Sequence, residues 1–313
     1  MITTVTMNPC IDRSVHVRRL DKGSTNRVTR TRTDIGGKGI NVSVALRNFR
    51  YDSRALCLDL MDSGAYLTDS LTTMGVQPVM VPVPGRLREN LKIYDDESGE
   101  MTEINEAGTP VDVSSYKRFM QRFRSVLSDT RILVMSGSIP PGIPEDIYRN
   151  MILEAKERNV TTFLDAAGEP LRLGIEAKPD LIKPNRQEME ALTGDRIDSL
   201  ESACEHAMAL VDRGVGCVCL SLGAEGAILA NLDGIWYSEG TSIKILGLQG
   251  AGDSMVAGFC IGTLEGMDEE ELLRTGMTMA QGSLMREGTQ LCTQRIYQEL
   301  RPRMPVVKYR SFK

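Results

Sequence analysis

Histidine is almost missing from this chain: His16 and His206 are the only two in 313 residues. No cysteine pair has zinc-ribbon spacing either, so a transition-metal centre is not expected. The seven cysteines are an odd number, and several sit in apolar runs such as Val218-Cys219-Leu220. That usage fits small buried hydrophobes in a reducing compartment. Aromatics make up 5% of the chain, and 37 basic against 42 acidic residues leave a net charge of −5. Without a basic balance or interleaved aromatics, nucleic acid is not expected as a partner. The one basic cluster, Arg18, Arg19, Lys22, Arg27, Arg30 and Arg32, reads as a solvated strand surface, some of whose members could meet an anionic substrate. No apolar run is long enough to span a bilayer, and the first residues lack the basic and apolar regions of a signal peptide. The expectation is a cytoplasmic protein with no membrane partner.

Familiar phosphate motifs are missing too. No G-x-x-x-x-G-K-[ST] exists, because Lys38 is followed by glycine, and no G-x-G-x-x-G follows a strand. The His-Arg-Asp and Asp-Phe-Gly signatures of protein kinases are also absent. What is present is Gly250-Ala251-Gly252-Asp253-Ser254, running straight into the small apolar stretch 255–260. That order puts glycine-rich backbone and one carboxylate at a helix start, where free N–H groups and the helix dipole favour an anion. With Asp253 as general base, the block suits phosphoryl transfer to a hydroxyl. Taken alone it is equally a tight turn with Asp253 as a cap.

Residues 1–110 are rich in strand signals. Val15 and Val17 alternate with polar neighbours, 28–33 alternates threonine and arginine, and 91–94 and 101–104 flank a turn as a hairpin. These clean alternations suggest a small sheet with one wet face beside the main core. From about residue 111 the pattern becomes helix, then continuous apolar strand, repeated. Helices are expected at 114–128, 145–158, 186–193 and 200–213, and strands at 131–135, 161–164, 181–183 and 217–222. This alternation implies an α/β fold with a mostly parallel sheet covered on both faces, whose ligands sit at the carboxyl ends of the strands. With no repeat or linker, 1–313 reads as a single domain carrying a small accessory sheet.

The strand-end loops hold the other candidates. Ser136-Gly137-Ser138-Ile139-Pro140-Pro141-Gly142 is rigid and hydroxyl-bearing, and Asp165-Ala166-Ala167-Gly168 closes the next strand. In Lys183-Pro184-Asn185-Arg186-Gln187-Glu188, Asn185 and Glu188 have capping-box spacing, and the same pair can hold Mg²⁺ through water. Ser221-Leu222-Gly223-Ala224-Glu225-Gly226 is either a close approach to a nucleotide or a plain hairpin. Near the N-terminus, Gly36-Gly37-Lys38-Gly39-Ile40-Asn41 offers ligand-accessible backbone and a cation. Asp12 and Asn41 could bond sugar hydroxyls, although Asn41 would equally cap a helix at 42–48.

In this order the motifs resemble the PfkB branch of the ribokinase-like carbohydrate kinases, from Asn8-Pro9 to Asp253. The start Met7-Asn8-Pro9-Cys10-Ile11-Asp12 and the pair Arg88 and Asn90 are similar to the sugar-phosphate subfamily. The stretches 254–258 and Glu287-Gly288-Thr289 resemble those of bacterial 1-phosphofructokinases, with tagatose-6-phosphate kinases and 6-phosphofructokinases as near alternatives. The resemblance implies a three-layer α/β/α core, a β-sheet lid from about 12–35 and 87–107, and a homodimer through that lid. It implies ATP and Mg²⁺, with Asp253 taking the proton from the 6-hydroxyl of fructose 1-phosphate and Gly250, Ala251 and Gly252 completing an anion hole. Asp12, Gly37, Lys38 and Asn41 would hold the sugar, and Arg88, Asn90 and Ser138 its phosphate. Lys183, Asn185, Ser221, Gly223 and Gly226 would border ATP, and Asn185 and Glu188 would steer the metal. An ordinary carboxylate pKa would leave Asp253 ionised at neutral pH. Two positions depart from the pattern: Ala166-Ala167 replace hydroxyl residues, and Gln249 replaces a small apolar one. With the base and anion hole intact, a catalytically silent sugar-phosphate sensor is the weaker reading.

Overall fold

The computed structural model of the protein describes residues 1–288 and 290–312, so Thr289 of the Glu287-Gly288-Thr289 segment lies outside the described residues. In chain order the strands are β1 (Ile2–Thr6), β2 (Cys10–Val17), β3 (Val28–Gly36), β4 (Ser53–Leu60), β5 (Gln77–Val83), β6 (Arg88–Asp95) and β7 (Met101–Asn105). There follow β8 (Ile132–Ser136), β9 (Thr161–Asp165), β10 (Leu181–Ile182), β11 (Cys217–Ser221), β12 (Ala227–Asn231), β13 (Gly234–Ser238) and β14 (Val307–Ser311). Ten of them form one sheet in the order β14-β13-β12-β11-β10-β9-β8-β1-β4-β5. Pairing is parallel from β11 through β5 and antiparallel from β11 through β14.

Apolar side chains fill both faces of this sheet. On one face Phe119, Phe123, Ile147, Met151, Leu171 and Ala207 come from the helices Val113–Val126, Ile147–Lys156, Gly168–Glu176 and Leu200–Asp212. On the other, Leu46, Val256, Phe259, Met277 and Ile296 come from Lys38–Asn48, Ala251–Glu265, Glu269–Leu284 and Gln294–Leu300. The result is the expected three-layer α/β/α core.

The remaining strands build a separate four-stranded sheet, β3-β2-β6-β7. Here β2 pairs antiparallel with β3 and parallel with β6, and the 91–104 hairpin is present as β6 and β7. Asp12, Asn90 and Lys92 on these strands are buried, whereas Glu103 and Ile104 on β7 are exposed. The small sheet is thus a lid with one covered and one open face.

Two local differences from the sequence reading matter for the site. The first helix starts at Lys38, with Gly37 as its N-cap, so Asn41 lies inside the first turn and is not a cap. Its amide is thereby free to reach sideways. Secondly, β1, β4 and β5 belong to the central sheet although they come from the strand-rich first third of the chain. Threonine disguises β1: Thr3 and Thr4 are buried, but each shares its hydroxyl with another, Thr130 at 2.8 Å and Ser43 at 2.9 Å. Pairing the hydroxyls removes most of the cost of burying them.

Candidate active site

A cavity of about 900 Å³ opens between the lid and the carboxyl ends of the core strands. Its walls include Asn8, Gly37, Lys38, Arg88, Asn90, Ser138 and Glu188. The expected phosphate residues Arg88, Asn90 and Ser138 and the expected sugar residues Gly37 and Lys38 therefore share one chamber, whereas Asp12, Asn41 and Asp253 are not on its wall.

Lid strands and the loop before β2 supply one wall. Asn90 donates to Asp12 Oδ1 at 3.0 Å, and Arg88 donates to Asn90 Oδ1 at 3.1 Å and to the Asn8 carbonyl at 3.2 Å. Asn8 in turn donates to Ser138 Oγ at 3.1 Å. Among the described residues Arg88 has no carboxylate within 4.0 Å, so its positive charge faces the chamber without a counter-ion. A planar guanidinium so held suits phosphate oxygens. Cys10 lies beneath this wall, its Sγ 3.2 Å from Asn90 Nδ2. Burial first, and then the Asp12 carboxylate, push the thiol up to about 12, so it stays protonated.

The floor is charged. Asp165, at the end of β9, is buried and lies 3.2 Å from Lys38 Nζ and 3.4 Å from Lys183 Nζ. Burial opposes its charge, but the two lysines outweigh it and hold the carboxyl below its usual range. For Lys38, burial likewise opposes the charge, while Asp165, Glu188 and Asp253 raise its pKa overall. The sequence marked Asp165 only as a loop residue. A carboxylate at the carboxyl end of a buried strand was the available signal.

Behind the floor, the helix Ala251–Glu265 begins at Gly250, which has φ 72°. A left-handed N-cap without a Cβ is what this sharp entry needs, since a Cβ there would meet Leu291 at 2.4 Å. No side chain caps the turn, which leaves the first N–H groups of the helix for a ligand. Lys183 lies alongside: a Cβ on Gly252 would sit 3.1 Å from its Nζ. Asp253 is buried and accepts a 2.7 Å hydrogen bond from Asn41 Nδ2. Its pKa is not ordinary. Burial first, then the nearby Asp165 charge, raise it to about 6, against the pull of Lys38, Asn41 and Lys183. The reading of Asp253 as an unperturbed carboxylate is therefore corrected, because its burial arises only from packing across the fold.

Asn185 and Glu188 make the capping box in full: Asn185 Oδ1 takes the Glu188 N–H at 2.8 Å, and Glu188 Oε2 takes the Asn185 N–H at 2.9 Å. Glu188 Oε1 remains turned toward Lys38 at 3.7 Å, and the residue lines the chamber. Among the described residues no cluster of three or more His, Cys, Asp or Glu could cage a metal. One hard carboxylate oxygen with room for water fits Mg²⁺, which keeps most of its waters. Ser221 pairs with Asn185 in an isolated bridge, but Ser221, Gly223 and Gly226 are not on the chamber wall. Gly226 ends the short turn between β11 and β12 at φ 93°, so the hairpin reading of this loop stands. Ala166 is buried, and Ala167 borders the chamber with a methyl group where a hydroxyl would otherwise stand.

The sequence and the fold match known proteins over nearly the whole chain. The family described as pfkB family carbohydrate kinase matches residues 5–296. The 1-phosphofructokinase of Bacillus subtilis is 34% identical over 308 residues, covering 98% of this chain and all of the relative. A tagatose-6-phosphate kinase of Staphylococcus epidermidis is 29% identical, over 92% of this chain and 94% of its own. Among solved structures, phosphofructokinase-2 from Escherichia coli in complex with substrates and products superposes with a TM-score of 0.91 at 25% identity, covering 97% of this chain and 99% of the other. The chain belongs to the pfkB family of carbohydrate kinases. It is a sugar-phosphate kinase and, as such, an ATP-dependent phosphotransferase. Among the described residues no helix is long and apolar enough to cross a membrane.

Proposed function

We propose that this kinase phosphorylates the 6-hydroxyl of fructose 1-phosphate from ATP, giving fructose 1,6-bisphosphate. The observation that carries the chemistry is Asp253: a buried carboxylate raised to about 6, in the uncapped first turn of a helix. Such a group takes a hydroxyl proton well near neutral pH, because its pKa is close to that at which it works. The oxygen so freed attacks the γ-phosphorus in line, the bond to the β,γ-bridging oxygen breaks, and ADP leaves. Backbone N–H groups of Ala251, Gly252 and Asp253 meet the charge on the transferring phosphoryl, with Lys183 beside them.

Asp12, Gly37, Lys38 and Asn41 hold the sugar in this reading, and Arg88, Asn90 and Ser138 its phosphate. Asn185, Ser221, Gly223 and Gly226 border the nucleotide. Glu188, oriented by Asn185, would hold Mg²⁺ through water, and the ion when bound neutralises phosphate charge. We read 1–313 as one kinase unit in a reducing cytoplasm, in keeping with its seven free cysteines. It would pair as a homodimer through the outer lid face, where Ile104 is 56% exposed.

The choice of sugar rests on the likeness to 1-phosphofructokinases, and tagatose 6-phosphate is the second reading because a kinase of that name is nearly as similar. ADP release with MgATP is to be compared by kcat/KM for fructose 1-phosphate, fructose 6-phosphate, tagatose 6-phosphate and free fructose. Preference for a 6-phosphate would move the substrate but keep the base. Silence on all four would favour the sensor.

A further inference from the structure

Lys92 sits on the covered face of the lid, 5% exposed, and its ammonium has two partners. One is Asp12 Oδ2 at 3.0 Å, on the neighbouring strand β2. The other is Gln249 Oε1 at 2.5 Å, 157 residues away in sequence. Gln249 immediately precedes Gly250, the left-handed residue that opens the anion-binding turn. Its amide nitrogen points the other way, 3.4 Å from Glu103 Oε1 and 3.9 Å from Met101 Sδ, both on β7. One side chain at the lip of the catalytic helix is thus held by both β6 and β7. A small apolar residue at this position could accept nothing from Lys92.

We propose that Gln249 is a positioning residue that latches the lid onto the turn at 250–253 through Lys92. The bond is charge-assisted and largely shielded from water, which places it among the stronger hydrogen bonds a protein makes. Lys92 simultaneously fixes the Asp12 carboxylate, so the latch sets the distance between the lid's ligands and Asp253 before any substrate arrives. Preorganisation of this kind lowers the ordering cost of binding the acceptor and leaves ATP binding, which the proposed reaction assigns to other residues, little changed. The consequence for the acceptor rests on the proposed reaction; the latch itself does not.

Two variants separate the arms. Gln249→Met keeps the length of the side chain and loses both polar contacts. Gln249→Glu keeps an acceptor for Lys92 and replaces the donor to Glu103 with a carboxylate oxygen, a repulsion from which the solvent-exposed Glu103 side chain can turn away. Amide hydrogen exchange is read on the substrate-free protein, across residues 88–105. The expected result is roughly tenfold faster exchange in Gln249→Met, the scale of one lost hydrogen bond to a charged group, with the Tm lowered by no more than about a few degrees and near wild-type exchange in Gln249→Glu. KM for the sugar phosphate should rise by about the same factor in Gln249→Met, with KM for ATP and kcat moving far less. An unchanged lid in the Met variant, or a lid loosened equally by Met and Glu, overturns the proposal. If no sugar phosphate is turned over, the proposed reaction fails, and the exchange comparison still decides the latch.

Discussion

Asn41 and Asp253, 212 residues apart, meet through a 2.7 Å hydrogen bond from the amide nitrogen to Oδ2. The bond joins the first turn of the helix Lys38–Asn48 to the first turn of Ala251–Glu265, two helices that pack on the same face of the sheet. It holds one carboxylate oxygen of Asp253 in place. Since the amide donates to the charged form, it also tempers the rise that burial imposes on Asp253.

Asp253→Asn should therefore keep the fold and lose turnover by roughly 10²–10⁴-fold, the usual contribution of a general base. In the wild type, kcat/KM should fall as pH drops through about 6, because the protonated carboxyl cannot accept the hydroxyl proton. ADP release across pH 5 to 8 checks both. An active Asn variant would remove Asp253 from the mechanism.

The same carboxyl has a stability consequence of opposite sign to the usual carboxylate. Its folded pKa, about 6, lies above the ordinary 3.8, so the folded state binds the proton more tightly than the unfolded chain. Between those values its contribution to stability falls as pH rises, and above about 6 it stays at its least favourable. Asn does not titrate. The stability of Asp253→Asn relative to the wild type, followed by Tm, should grow from pH 4 to pH 7 and then level off, the free-energy difference reaching at most about 3 kcal/mol. A difference independent of pH would show that Asp253 is not raised.

Much of this site could be read from residue order alone, because its parts are loops at strand ends and backbone-rich turns. Gly250 to Asp253, Asn185 with Glu188, and Lys38 with Gly37 each carried a local signal. What stayed hidden depends on distance across the fold. Asp165 gains its meaning only from two lysines brought to it, one on the first helix and one after β10. Lys92 read as an ordinary residue of an alternating hairpin strand, and Gln249 as an unexplained departure, until their side chains met. The core strand β1 was obscured by threonines whose hydroxyls are satisfied by partners 127 and 39 positions away.

Among the described residues Arg88 bonds only neutral acceptors, Asn8, Asn90 and the Glu106 carbonyl, so no carboxylate neutralises its charge. Arg88→Ala should raise KM for the sugar phosphate by roughly one to two orders of magnitude, as a lost charge-assisted contact to phosphate would. KM for ATP should change little. Steady-state kinetics with each substrate varied in turn provides the comparison, and equal effects on both would argue against phosphate recognition at Arg88.

Asp165 offers a different kind of test, since it holds two cations together. Lys183 is only 6% exposed and Lys38 38%, so removing the carboxylate leaves one lysine buried without its partner and the other partly hydrated. Breaking a buried ion pair from one side costs about 3–5 kcal/mol, and water around Lys38 should bring the total toward the lower figure. Asp165→Ala should thus lower stability by about 3 kcal/mol in urea titration. Asp165→Asn keeps an acceptor for either lysine and should lose less. Because Asp165 titrates below the normal range, its stabilisation is fully present above the unfolded pKa and disappears as pH falls through the folded one. The stability gap between wild type and Asp165→Asn should accordingly close on acidification below about pH 4. A gap that persisted there would mean the residue acts through packing and not through its charge.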